Sequence, residues 1–436
     1  MTWAPTFRLG SGSKLPKLIL IGEAWGVEEA RALRPFVGRA GRLLRGSSVY
    51  PGLLAKAGWT EEEVYFTNLV NDHPPGNDIS PLYHVGKPAP GCVSFAELGQ
   101  GRKPSRTHCL TPLGMKAREF LLDELSAFPD AILMPLGNPA TLALTGKAGI
   151  EKLRGSPFEM ASVYHQWVVP SIHPAYVLRT PLQAFYLLAD LLKTRSGVIP
   201  TARSFRLTWN QESVQEVLAS RLIALDIETS GSSLASIALA DRPVRAVSFQ
   251  LLHQEPGMKR ALVDYLSNPD NRVIIHNGMF DSIQLERAWK FTWRAQIEDT
   301  MLLFRLIYPE LEARLSNVAS LLTWEPFWKM DSKLASATGD LQLALSYGAK
   351  DASVTFECYL RLMERAGPFL PSYRSTLALY SKLRESTHRG FCIDPGVRND
   401  LDKAAQGKLD DLEAQLDELT QAKLAGLRAP REAVLK

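Results

Sequence analysis

Short apolar runs, each followed by a turn and then a helical pattern, recur along this chain and leave few folds open to it. Leu18 to Ile21 leads into Gly22-Glu23-Ala24-Trp25-Gly26. Val64 to Val70, residues 131–136 and Val168 to Ile172 follow. Further on come 222–228, Arg245 to Leu252 and Val273 to His276. Such runs, bounded by turn residues, are the mark of buried strands. Between them, Leu113, Phe120, Leu121 and Leu125 recur at helical spacing and predict a helix over 112–126. Helices are also expected near 211–220 and 280–290, and helical patterns dominate from about 299 to 365. Strands alternating with helices predict α/β domains with mostly parallel sheets.

The stretch 195–205 carries Arg, Ser, Gly and Pro with little periodicity and reads as a linker. Two α/β domains are therefore expected, at 1–196 and 204–366, with a third segment at 367–436. The stretch from about 71 to 110 is rich in Pro, Gly and His and reads as a long loop. A helix is expected at 372–388, ending at Gly390, and a long polar helix at about 397–425. Leu401, Leu409, Leu412, Leu416 and Leu419 make a narrow stripe along the latter, too little to form a core alone. It is expected to pack on something outside this chain.

At 436 residues the chain is long enough for two to three domains of about 150 residues each. Lys and Arg number 50 against 46 Asp and Glu, so a net charge of +4 neither demands nor excludes nucleic acid, which needs only a local basic patch. The cysteines at 92, 109, 358 and 392 form no Cys-x-x-Cys pair, which speaks against a disulfide framework and fits a reducing compartment. The first residues lack the pattern of a signal peptide, and no apolar run approaches the ~18 residues that span a bilayer. A cytoplasmic protein is expected.

Four acids stand out. In Leu225-Asp226-Ile227-Glu228-Thr229, Asp226 and Glu228 lie two apart on a strand, so they share a face and should project together from one edge of the sheet. Tyr347 and Asp351 lie four apart on a helical pattern and share its face. Asp281 follows the His276-Asn277-Gly278 turn at a strand-to-helix junction. Clustered carboxylates repel one another unless a cation neutralises them. Hard oxygen ligands favour Mg²⁺ or Mn²⁺. Two such ions, about 4 Å apart, can hold the attacking water and the leaving oxygen of a phosphodiester. Singly, an Asp-x-Glu on a strand is usually a solvated pair, and Asp281 alone could cap a helix.

Together these contexts resemble the proofreading 3′–5′ exonuclease domain of family A DNA polymerases. Asp226-Ile227-Glu228-Thr229, His276-Asn277-Gly278-Met279-Phe280-Asp281 and Tyr347-x-x-x-Asp351 look like its three motifs in order, and Glu298-Asp299-Thr300-Met301-Leu302 looks like its Asp-Thr segment. The resemblance runs from about 204 to 366 and implies a ribonuclease H-like fold. It implies that Asp226, Glu228, Asp281 and Asp351 bind two Mg²⁺ or Mn²⁺ ions, that Tyr347 positions the water, and that Asn277 contacts substrate or braces the site.

In the first region, Gly22-Glu23-Ala24-Trp25-Gly26 and Pro35-Phe36-Val37-Gly38-Arg39-Ala40-Gly41 are glycine-rich loops where backbone can approach a ligand. Phe36 can present a ring for stacking, Asn68 an amide near a strand end, and His173 precedes Pro174 at another strand end. Each alone is ordinary. Together they resemble the uracil-DNA glycosylase superfamily, nearest its family 4, over about 16–195. That implies a parallel-sheet sandwich and a uracil flipped out of the DNA stack. Phe36 would stack on the base and Asn68 would read it. Glu23 would stabilise the sugar cation or activate water, and His173 would hydrogen-bond the uracil oxygen as the anion forms.

The sequence departs from that family in places. Trp25 stands for its proline and Leu33 for a glycine. Of the four cysteines that hold that family's iron–sulfur cluster the N-terminal pair is absent here, and in the later region only Cys92 and Cys109 remain, Cys109 as the one leftover counterpart, so no cluster is expected. Excision of uracil and mere gripping of DNA both stay open.

Gly390-Phe391-Cys392-Ile393-Asp394 and the helix beyond it resemble the passage from exonuclease to thumb in family A polymerases. Nothing resembles the palm motifs, so a truncated chain or a separately encoded polymerase partner is expected. The whole resembles the N-terminal part of a phage-type polymerase, acting on single-stranded 3′ ends, with a host cytoplasm as its setting. Two alternatives stay open: repair with uracil excision as the main activity, and a non-catalytic scaffold gripping DNA for a polymerase.

Overall fold

The computed structural model describes residues 3–86, 91–94, 108–160, 166–207, 210–231, 233–251, 256–329, 338–390 and 392–434. Met1–Ala378 forms one compact unit and Leu379–Lys436 another.

The first unit opens with β1 (Ser11–Gly12), β2 (Leu18–Ala24), β3 (Val64–Val70), β4 (Tyr83–Val85), β5 (Val93–Ser94), β6 (His108–Leu110), β7 (Ile132–Pro135), β8 (Phe158–Glu159) and β9 (Trp167–Val168). Six of them make a sheet in the order β1-β3-β2-β7-β9-β8. The four inner strands run parallel and the two outer ones antiparallel to their neighbours. Period-two alternation sorts the side chains. Leu18, Leu20, Val64 and Phe66 enter one core, and Ile19, Ile21 and Tyr65 the other. Both faces are covered, which is why these strands read as continuous apolar runs. Within the expected loop at 71–110, β4, β6 and β5 form a small antiparallel sheet, while 87–90 and 95–107 lie outside the described residues.

The second sheet contains β10 (Ser204–Leu207), β11 (Leu222–Ser230), β12 (Ser233–Arg242), β13 (Arg245–Gln250), β14 (Arg272–Ile275) and β15 (Gln296–Asp299), in the order β10-β13-β12-β11-β14-β15. β11 lies inside this sheet, antiparallel to β12 and parallel to β14. The expectation that Asp226 and Glu228 project from a sheet edge is therefore corrected: they sit on an interior strand. β12 itself escapes sequence reading because Ala and Ser, weak strand formers, fill much of it.

Those small residues have a structural use. Ala238, Ala240 and Ala246 form one core with Ala349, Ala352 and Phe356 of the Leu341–Met363 helix. A Cβ added at Gly348 would already touch Ala238 Cβ at 3.5 Å, so helix and sheet are as close as methyl groups permit. This approach carries Tyr347 and Asp351 down to β11.

A buried polar network ties helix Gln183–Arg195 to helix Leu315–Leu322 within the first unit. Arg154, 2% exposed, donates through Nε to Asp190 Oδ2 at 3.0 Å and through a terminal nitrogen to Asp190 Oδ1. Its other terminal nitrogen donates to Ser320 Oγ at 3.0 Å and Asn317 Oδ1 at 3.2 Å. Ser171 Oγ completes the Asp190 shell at 2.6 Å. Lys193 donates to the carbonyls of Gly155 and Ser320 at 2.7 and 2.8 Å. Breaking a buried pair by removing one partner leaves an uncompensated charge. Asp190→Ala is expected to destabilise the first unit by about 3 kcal/mol. An unchanged urea midpoint would contradict this.

In the second unit, helix Pro395–Val434 continues beyond the expected 397–425. Leu401, Leu409, Leu412, Leu416 and Leu419 are all exposed. Phe391 of the preceding motif lies outside the described residues. Among the described residues no helix is long and apolar enough to cross a membrane.

Candidate functional site

The acidic centre grows out of β11. Asp226 and Glu228 are two apart on the strand, and the ladder with β12 shifts register between Glu228 and Thr229. A bulge there bends the strand and re-aims the side chain next to it. Asp351 reaches the same point from the helix above. Carboxylate oxygens of Asp226, Glu228 and Asp351 all lie within 4.8 Å of one another. Asp281, in the first turn of helix Met279–Trp289, belongs to the layer behind: its Oδ1 accepts the Ile227 backbone N–H at 3.2 Å.

The electrostatics are those of a crowded anion cluster. Burial, then Asp351, Asp281 and Glu228, push Asp226 well above the usual carboxylate range, and its buried Oδ2 has no hydrogen-bond partner. Glu228 is raised by burial and Asp351. Asp281 is pushed up to about 7, chiefly by burial. Tyr347 is held protonated by burial and by the same acids. An unpartnered buried oxygen among three converging carboxylates is what a hard divalent cation fits, so the donor set suits Mg²⁺ or Mn²⁺.

The turn before Asp281 is pinned by a residue with no place in the expected ligand set. Asp299 accepts the N–H groups of Gly278 at 3.0 Å and Asn277 at 3.3 Å, and those of Met301 and Leu302 as cap of the next helix. Asn277 takes the left-handed conformation, φ 63°, which Asn tolerates better than most residues, and it is exposed. Sequence reasoning missed Lys329 and Trp328. Lys329 Nζ contacts Asp351 Oδ2 at 2.5 Å and donates to Tyr347 Oη at 2.7 Å. Trp328 Nε1 donates to Asp351 Oδ1 at 2.5 Å. Neither sits in a motif, and only the fold brings them to Asp351.

A second candidate site lies at the carboxyl ends of β2 and β3. Phe36 is buried in the left-handed conformation, φ 56°, with its ring 5.8 Å from Phe66. A Cβ at Gly22 would lie 2.2 Å from Asn68 Oδ1 and 2.9 Å from Phe36 Cζ, so Gly22 is what lets ring and amide come together. Asn68 Nδ2 donates to Asn71 Oδ1 at 2.9 Å, which also accepts Trp25 Nε1 at 3.1 Å. Trp25, fully buried, thus helps fix the Asn68 amide through Asn71.

Glu23 and His173 meet across Gly137, φ 89°. A Cβ there would lie 2.8 Å from Glu23 Oε1 and 3.4 Å from His173 Cβ. Burial raises Glu23 to about 7, against the opposing charge of Arg179. Burial, aided by Arg179, lowers His173 to about 4, so the ring is neutral at pH 7. His173 Nδ1 accepts the Ala175 N–H at 3.2 Å, which leaves Nε2 to carry the proton. Leu33, where the family has glycine, adopts the left-handed conformation at φ 50° and is exposed. Cys109 is buried and Cys92 half-exposed. Burial and its neighbour Cys92 push the Cys109 thiol up to about 11.

Residues 9–193 match the family model of the Uracil DNA glycosylase superfamily. The chain is 30% identical over 195 residues to the Type-4 uracil-DNA glycosylase of Thermotoga maritima, covering 44% of this chain and 82% of that protein. Through this region the chain belongs to the uracil-DNA glycosylase superfamily. It is also 24% identical over 345 residues to the DNA polymerase of Bacillus phage SP01, a stretch that takes in 69% of this chain but only 33% of the polymerase. Among solved structures, Brucella melitensis NrnC bound to pGG overlaps with a TM-score of 0.34 at 22% identity, over 43% of this chain and 91% of that one, too slight a likeness to bear on function.

Proposed function

We propose that this protein is a metal-dependent 3′–5′ DNA exonuclease joined to a uracil-recognising domain, and that it edits 3′ ends for a family A polymerase. The convergence of Asp226, Glu228 and Asp351 within 4.8 Å, with the orphaned Asp226 oxygen among them, carries this reading. The stretch similar to the phage polymerase supports it, since at 69% of the chain it is longer than the glycosylase-like region alone. The functional borders are placed at 1–196, 204–366 and 367–436. The exposed leucines of helix Pro395–Val434 are assigned to the polymerase remainder or to a separate polymerase subunit.

In this reading Asp226, Glu228, Asp281 and Asp351 hold Mg²⁺ or Mn²⁺, which supplies an acidified water and neutralises charge on the phosphate. Tyr347, protonated, accepts from Lys329 and turns its O–H toward Asp351, which places the hydroxyl at the rim of the centre, where it orients that water. Asn277, exposed at the turn, is placed to meet the strand or to brace the turn.

Uracil excision by the first region is a second reading, favoured by the pairing of Glu23 with a neutral His173 across Gly137. Phe36 stacks on the flipped base and Asn68 reads it. As the N-glycosidic bond breaks, its electron pair goes to uracil, whose oxygen accepts a hydrogen bond from His173 Nε2. Glu23 faces the cationic sugar, to which water adds, the water proton passing to the Glu23 carboxylate and on through solvent to the departing uracil anion.

One assay separates the roles. A 5′-labelled single strand with an internal uracil is incubated with Mg²⁺ or with EDTA. Stepwise shortening only with Mg²⁺ supports the exonuclease. An alkali-labile site at uracil in EDTA supports excision. Neither product would leave a DNA-gripping scaffold and overturn both readings.

A further inference from the structure

The exonuclease reading treats Asp226, Glu228 and Asp351 as ligands awaiting a cation, yet one cation is already among them. Lys329 Nζ sits 2.5 Å from Asp351 Oδ2 and 2.7 Å from Tyr347 Oη. Its ammonium also lies 4.7 Å from the centre of the Tyr347 ring and 5.3 Å from that of Trp328, so two aromatic faces add to its hold. Trp328 Nε1 occupies Asp351 Oδ1. Both oxygens of this carboxylate are therefore engaged, one by a neutral donor and one by a full charge.

The two engagements differ in what they allow. A carboxylate oxygen has two lone pairs, so Oδ1 can keep the indole and still accept a metal. An ammonium and a divalent ion on the same cluster repel strongly at such distances. Asp351 shares its cluster with Asp226 and Glu228, their oxygens within 4.8 Å of one another, so an ammonium on Asp351 offsets negative charge across all three. The Lys329 side chain is about a quarter exposed, so it has a path outward.

We propose that Lys329 is the resident counter-ion of the acidic centre, and that a divalent cation must displace it to bind. The cluster is thereby held together without metal, at the expense of metal affinity. This inference rests on the exonuclease reading of the same site and deepens it.

The test measures metal binding rather than turnover. Mn²⁺ is titrated calorimetrically into the full chain, into Lys329→Met and into Lys329→Arg. Lys329→Met, which keeps length and loses charge, is expected to bind Mn²⁺ about tenfold more tightly, and to melt at a lower temperature than the parent in EDTA but not in Mn²⁺. Lys329→Arg keeps the charge and is expected to stay within about threefold of the parent in affinity. Equal or weaker Mn²⁺ binding by Lys329→Met, with the variant folded in Mn²⁺ by circular dichroism, would overturn the counter-ion role and leave the exonuclease reading standing. A parent chain that binds no Mn²⁺ and shortens no 3′ end would overturn both.

Discussion

Asp226→Ala is expected to lower metal-dependent shortening from a 3′ end by about a thousandfold or more. Asp226 lies on an interior strand, within 4.8 Å of Glu228 and Asp351, and its Oδ2 has no other partner. A second readout should move the opposite way. Asp226 is pushed well above its ordinary range in the fold by burial and by three acids. A group raised in the fold contributes stability that is full below its unfolded value and fades as pH rises through the folded one. Without metal at pH 8 keeping this acid in the fold is therefore a burden, so Asp226→Asn, which should lose activity as Asp226→Ala does, should melt a few degrees higher than the parent in EDTA. Loss of activity with gain of stability is not what misfolding produces. Gel analysis of a 5′-labelled strand checks the first effect and a thermal melt the second. Activity retained within tenfold of the parent would show that the metal site has been assigned to the wrong residues.

What the sequence made legible follows from the range of each signal. Strands such as β2 and β3 announce themselves because both faces are apolar. β12 does not, because its alanines and serines are chosen for the closeness of the Leu341–Met363 helix, a tertiary demand no local pattern records. Asp226, Glu228 and Asp351 are readable because period two and period 3.6 each place an acid on a known face. Lys329 is not readable: a lone lysine outside any motif gives no hint that the fold will lay it against Asp351. Trp25 was legible only as a departure from a family pattern. The structure gives it a positive role, its indole helping to fix Asn68 through Asn71. Leu33 remains the costlier departure, since a non-glycine residue in the left-handed conformation gives up about 1 kcal/mol.

Uracil excision in EDTA is expected to rise about tenfold per pH unit up to about pH 7 and to level off above it, and Glu23→Gln should be about a hundredfold or more slower with no such rise. The sign follows from the role. In the excision reading Glu23 faces a developing sugar cation, so only its carboxylate helps. Burial places its midpoint near 7, so the carboxylate fraction grows tenfold per unit below that value and saturates above. His173 adds no opposing limb, because burial keeps it neutral down to about pH 4 and its Nε2 proton is retained throughout the measured range. A simple rising profile, rather than a bell, is thus the signature of this pair. His173→Ala should lower the plateau by about a hundredfold and leave the midpoint in place, as it removes a donor to the leaving uracil rather than the titrating group. Alkali cleavage of a 5′-labelled uracil-containing strand between pH 5 and 9 gives the profile. A flat profile in the parent would remove Glu23 from the reaction. Absence of excision at every pH, with DNA still bound, would make the first region a grip that presents the strand to the acidic centre instead of an enzyme in its own right.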